Sequence, residues 1–227
     1  MATTEEVQKW QQTGLYASMS REELKSLLQR VACDGRYAHV RNSEGLTPLL
    51  ELYAHHFEDY DILYAALSTA TKRFDINTVN KHGQTLLSLA VSRRQHSQVE
   101  ELLEHGADPN ISDEYDQTPL MLAAERGMDD SVETLLEFGA NPLFRNHNGK
   151  TARELADESK EVLGSDEKYD WVKSPFFRIM AKLYQAEKKL MIHENDLRQQ
   201  NPHISRKKIA TSINQYLKQK QREAMSR

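Results

Sequence analysis

Three turns recur every 33 residues in the middle of this 227-residue chain, and that period constrains its fold more than any other feature. The turns read Lys81-His82-Gly83-Gln84-Thr85-Leu86-Leu87, Glu114-Tyr115-Asp116-Gln117-Thr118-Pro119-Leu120 and His147-Asn148-Gly149-Lys150-Thr151-Ala152. A fixed period of this size implies copies of one supersecondary unit stacked on each other, since no single copy can bury its apolar face alone. Stacks of this kind present an extended surface to a partner, so the period bears on function as well as on fold.

The middle copy shows the pattern most fully. It opens with Thr118-Pro119-Leu120-Met121-Leu122-Ala123-Ala124-Glu125-Arg126-Gly127 and closes with Val132-Glu133-Thr134-Leu135-Leu136-Glu137-Phe138-Gly139-Ala140-Asn141-Pro142. Thr118 suits an N-cap, and Pro119 suits the first helical position, where its missing N–H is no loss. Leu120, Ala123 and Ala124 share one helical face, and the two alanines let a neighbouring helix approach closely. Leu135 and Leu136 bury a second helix that Gly139 can end in the left-handed conformation.

This opening resembles the ankyrin repeat, whose pattern is TPLH-x-A on a 33-residue period. The preceding copy matches through Thr85-Leu86-Leu87-Ser88-Leu89-Ala90 and Leu102-Leu103-Glu104-His105-Gly106-Ala107-Asp108-Pro109-Asn110. A further copy begins at Gly149-Lys150-Thr151-Ala152-Arg153-Glu154-Leu155-Ala156 and stops short. Upstream, Asn42-Ser43-Glu44-Gly45-Leu46-Thr47-Pro48-Leu49-Leu50 opens a first copy that closes at Arg73-Phe74-Asp75-Ile76-Asn77 and holds five extra residues, placed around His55 to Asp61. Where the family often has histidine after the leucine, this chain has Leu50, Ser88, Met121 and Arg153, so that side-chain network is absent or altered. The expected fold is all-α, an ankyrin-repeat solenoid of helix-turn-helix units joined by β-hairpin loops, with helical N- and C-terminal caps. The expected organisation is a helical cap over 1–39 and repeats over 40–157, divided at 40–79, 80–112, 113–145 and a partial 146–157. An acidic linker over 158–175 and a helical extension with a basic tail over 176–227 follow.

Both flanks carry readable signals. Ser20 and Glu23 form an S-x-x-E capping box, with Met19 and Leu24 at the staple positions and Leu24, Leu27, Leu28 and Val31 on one face. A short helix from about Thr4 to Gln12 is expected before it. Near the other end, Phe176, Leu183, Leu190 and Leu197 fall at intervals of seven, with Met180 between the first two. That spacing fits either an amphipathic helix packed on the last repeat or a coiled-coil seam, which Glu187 and Glu194 weaken. Asn201-Pro202 breaks this helix, and a last amphipathic stretch carries Ile209, Ile213, Tyr216 and Leu217.

Charge is uneven. Residues 201–227 hold seven basic residues and one acidic one, while the rest holds 23 basic and 33 acidic residues, so a tail of +6 follows a body of −10. Arg206-Lys207-Lys208 with Lys218, Lys220 and Arg222 could touch nucleic acid or an anionic membrane, or form a solvated helix face against the acidic body. Hydrophobic residues are 38% and charged residues 28%, polar for a closed globule and suited to a thin stack. The only cysteine is Cys33, which fits a reducing compartment. No run reaches the ~18 apolar residues of a membrane helix, and MATTEEVQKWQQ has no apolar core, so an intracellular protein, cytoplasmic and possibly nuclear, is expected.

Signs of catalysis are missing. The nine histidines show no HExxH and there are no cysteine pairs, so no metal is expected. Six of nine glycines sit at repeat turns and none forms a phosphate-binding loop, so no cofactor is expected either. The expectation is a non-enzymatic module, monomeric, that binds another protein. By the resemblance, the partner lies on the concave face of hairpin tips and first helices. The matching residues are Ser43, Glu44 and Leu46, then Lys81, His82, Gln84 and Arg93, then Glu114, Tyr115, Gln117, Glu125 and Arg126, then His147, Asn148 and Lys150. Tyr115 is the expected anchor, because an aromatic ring with a polar tip carries much contact energy.

Overall fold

The computed structural model describes residues 75–163 and 175–226, together with Thr4, Val7, Gln8, Ser20, Glu22, Glu23, Ser26, Arg41, Thr47 and Leu50. Seven helices run through the described residues. They are α1 (Leu86–Ser92), α2 (His96–Glu104), α3 (Pro119–Glu125), α4 (Asp129–Glu137), α5 (Ala152–Leu163), α6 (Pro175–Gln200) and α7 (Arg206–Ala224). No strand occurs among the described residues, and the hairpin loops are closed by turns. The chain forms two compact units, Met1–Leu89 and Ala90–Arg227.

Each first helix starts at a threonine whose hydroxyl accepts a hydrogen bond from the backbone N–H three residues on. Thr47 accepts from Leu50 at 3.4 Å, Thr85 from Ser88 at 3.2 Å, Thr118 from Met121 at 3.3 Å and Thr151 from Glu154 at 3.4 Å. Each of the four caps satisfies a donor that the helix leaves orphaned, the expected one at Thr118 among them. In the first unit Ser20 and Glu23 also complete their capping box, Ser20 N–H donating to the Glu23 carboxylate at 2.8 Å and Glu23 N–H to the Ser20 hydroxyl at 3.4 Å. Hydrogen bonds from the Ser20 hydroxyl and backbone hold the Glu23 carboxyl below its usual pKa. Met19, the face from Leu24 to Val31 and the extra residues at 55–61 lie outside the described residues.

Within the second unit, α3 packs on α4 and α5, and α2 packs on α4. Leu120, Ala123, Ala124, Val132 and Leu135 are fully buried there. Helix α6 then packs on α5 and α4 together, as α4 packs on α3 and α2. It lies against α5 as α4 lies against α3. Phe176, Ile179, Leu183 and Leu190 are the apolar residues it buries, so the heptad of Phe176, Leu183 and Leu190 serves packing within the chain. Leu197 stays half-exposed.

Helix α7 returns across α6 and α4. Ser205 caps its start by accepting from Lys208 N–H, and Ile209, Ile213 and Leu217 bury against Leu190 with Leu143 and Tyr216 alongside. Its backbone runs so close to Gly139 that a Cβ there would stand 2.4 Å from the Leu217 carbonyl oxygen. Further on, the Gln221 side-chain amide donates to the Ala107 carbonyl at 2.9 Å. The apolar face of the last stretch packs on the body, and Arg206, Lys207, Lys208, Lys218 and Arg222 remain exposed on its other side.

Candidate functional site

The hairpin tips are built by one side chain repeated at the 33-residue period. Asn80 Oδ1 accepts from the backbone N–H groups of His82 and Gln84, both at 2.9 Å. Asp113 does the same for Tyr115 and Gln117 at 2.9 Å, and Asn146 for Asn148 and Lys150 at 3.0 Å. A backbone hydrogen bond of 3.0 Å closes each tip, from Asn80 to Gln84, Asp113 to Gln117 and Asn146 to Lys150. Two amides held by one carboxylate or carboxamide make the tip a rigid mount. These three Asx residues escaped the sequence reading, although their spacing of 33 was visible beside the glycines.

In the first unit, Lys81 and His82 are exposed on such a tip, and Gln84 is half-buried and accepts from the Asn80 amide at 3.1 Å. In the second unit, the tips of Glu114-Tyr115 and His147-Asn148 are tied together, His147 N–H donating to the Tyr115 carbonyl at 3.0 Å. Glu114, Tyr115, His147 and Asn148 are all exposed, and Tyr115 is the most exposed large apolar residue described, at 62%. Gln117 and Glu125 are half-buried, with Gln117 Nε2 donating to the Glu125 carboxylate at 3.5 Å.

Two of the expected contact residues, Arg126 and Lys150, have structural work. Arg93 is half-buried at the turn after α1. The Arg126 guanidinium donates to the Ser92 carbonyl, while the Arg94 guanidinium donates to the Arg126 carbonyl at 2.7 Å, so the two turns brace each other. Lys150 Nζ pairs with the Glu158 carboxylate at 2.6 Å. Ser43, Glu44 and Leu46 lie outside the described residues.

The four departures at the family's histidine position resolve differently. Leu50 and Met121 are buried, and Ser88 turns its hydroxyl onto the Thr85 carbonyl at 2.9 Å. Arg153 reaches across to Glu187 of α6 at 3.0 Å, a carboxylate that is itself nearly buried. A cross-helix ion ladder continues on α4, where Arg178 meets Asp129 at 2.7 Å and Lys182 meets both Asp129 and Glu133 at 2.8 and 2.7 Å. Burial pushes the Lys182 ammonium down, but the hydrogen bonds it donates to Asp129 and Glu133 and their charges outweigh this, and its pKa stands above the usual lysine value.

A groove of about 410 Å³ opens between α4, α6 and α7, lined by Leu136, Ala140, Leu190 and Leu217 with Lys189 and Lys220 among its polar residues. No group of three or more histidine, cysteine, aspartate or glutamate side chains suited to a metal occurs among the described residues. None of the described helices is long and apolar enough to cross a membrane.

Comparison with curated proteins returns no match. The family model for ankyrin repeats, in three copies, matches residues 50–146. Ankyrin repeats are in general protein-interaction modules without catalytic activity of their own. The threonine caps, the 33-residue tips and that match together identify residues 50–146 as ankyrin repeats.

Proposed function

We propose that the chain is an adaptor that captures another protein on its hairpin tips and first helices, with Tyr115 as the anchor. The observation that carries this reading is the mounting of Tyr115. Its ring is 62% exposed, yet its backbone N–H is held by Asp113 and its carbonyl by His147. An exposed aromatic ring carried on a held backbone costs little backbone entropy on binding and offers large contact area. Glu114, His147 and Asn148 surround it with exposed polar groups.

The test is parallel affinity capture with the intact chain and with Tyr115→Ala and His147→Ala variants of equal thermal stability. Loss of the captured species from both variants supports the reading. Capture unchanged by both would place the binding surface elsewhere. Arg126 is a poor choice for this test because its loss would also unbrace the turn at Ser92.

A second reading has one observation in its favour. Arg206, Lys207, Lys208, Lys218 and Arg222 stay exposed while α7 buries its apolar face, leaving a basic outer surface that could tether nucleic acid or an anionic membrane. Salt-dependent retention on heparin or DNA, reduced by Lys207→Glu with Lys208→Glu, would support it, and retention indifferent to those changes would end it.

A further inference from the structure

We propose that α6 also carries a homodimer seam, one residue out of register from the seam it uses to pack within the chain. Six large hydrophobic residues stay exposed among the described residues, and four of them lie on this helix. They are Phe177 at 49%, Tyr184 at 54%, Met191 at 53% and Ile192 at 51%. The first three repeat at intervals of seven. At about 100° per residue they fall within roughly 40° of one another, and about 100° from the stripe of Phe176, Leu183 and Leu190. Helices α4, α5 and α7 pack on α6, and the residues it buries belong to the other stripe. The terminal units of a repeat stack ordinarily turn a polar face outward. This one leaves an apolar ridge, and contiguous apolar patches on soluble surfaces mark interaction sites.

A second copy of the chain is the occupant the pattern fits. The ridge is centred on Tyr184, with an aromatic residue seven positions before it and a methionine seven positions after. A two-fold axis at Tyr184 sets the helices antiparallel, and each Phe177 then meets the partner's Met191, with the partner's Ile192 beside it. Sulfur–aromatic and aromatic–aromatic contacts both favour that pairing, and a two-fold contact closes on itself. Charge selects the same orientation. Lys188 lies within the ridge, so parallel helices in register would stack it on the partner's Lys188. Antiparallel helices set it opposite the partner's Met180, over which its stem can lie. The neighbouring charges are already paired within each chain, Glu187 with Arg153, Glu194 with Arg198, and Arg178 and Lys182 with Asp129 and Glu133. Closing the ridge therefore strands few charges. A dimer would also carry two copies of the tip surface and bind a multivalent partner with avidity.

One helix pair sits at the low end of stable interface area, about 1,200 Å² in total, so a micromolar dissociation constant is expected. Sedimentation of the full chain over roughly 1–200 µM should show a monomer–dimer equilibrium. Phe177→Ser, Tyr184→Ser and Met191→Ser combined should weaken it at least about tenfold without moving the thermal midpoint, since none of the three is buried. In a Cys33→Ser background, Tyr184→Cys should oxidise to a covalent dimer. Phe177→Cys should not cross-link with itself but should cross-link when mixed with Met191→Cys. A wild-type chain that stays monomeric at the highest concentration overturns the proposal. So does a triple variant that still dimerises, Phe177→Cys that links to itself, or a monomer whose ridge variants lose capture of a different protein.

Discussion

Asp116 holds a left-handed backbone, φ 56°, that its counterparts Gly83 and Gly149 reach at 74° without a Cβ. Its cost is the close approach of Cβ to the carbonyl, which aspartate tolerates better than most residues. Asp116→Gly is expected to raise stability by about 0.5 kcal/mol, the strain relieved being partly offset by a more flexible unfolded chain. A higher urea midpoint at unchanged slope would verify it. Asp113 matters more, because its carboxylate accepts two amides at once. Asp113→Ala should cost about 1–2 kcal/mol in urea unfolding, while Asp113→Asn, which keeps the acceptor, should be close to neutral. The sequence showed Asp116 at a glycine position but gave no account of why the tip survives it. The account lies in Asp113, whose role depends on where its oxygen points.

Helices α4, α6 and α7 are joined by contacts that the sequence carries only in part. Glu187 looked like a flaw in a coiled-coil seam, and Arg153 looked like a loss at the family's histidine position. They are one ion pair between α5 and α6. Lys182 links α6 to α4 with a pKa raised above the usual 10.5. A raised lysine pKa adds stability that is complete below pH 10.5 and fades as pH climbs through the folded value. Lys182→Met should therefore flatten the loss of stability in the alkaline range, as read from thermal midpoints between neutral pH and that range. Gly139 sets the docking of α7. Gly139→Ala would force a methyl group against the Leu217 carbonyl at a residue with φ 85°. The expected result is undocking of α7, a cost of about 2 kcal/mol or more, and faster proteolysis within residues 201–226.

For the molecule as a whole, the last repeat is where polar bridging gives way to an apolar core. Asn110 closes one repeat onto the next, its amide donating to the Gly139 carbonyl at 2.9 Å and its oxygen accepting from Asn141 N–H at 2.8 Å. The position 33 residues later is Leu143, and it packs against Leu190, Ile209, Ile213 and Leu217 instead. Removing residues 201–227 should uncover that cluster and lower stability by about 2–4 kcal/mol, seen as an earlier, still cooperative melt. An unchanged melt would mean that α7 contributes no net stability.

Taken alone, the sequence determined the repeats. A 33-residue period, threonine caps and the apolar faces of α3 and α4 are local properties, and each copy states them again, so neighbouring copies corroborate one another. The same residues resemble ankyrin repeats, and the family match covers residues 50–146. The tertiary structure decided the C-terminal third. Helix α6 carries two apolar stripes one residue apart, and a heptad fixes the angle between residues without fixing which of them faces inward. Only the positions of α4, α5 and α7 settle that Phe176, Leu183 and Leu190 are spent on the chain itself, leaving Phe177, Tyr184 and Met191 outside.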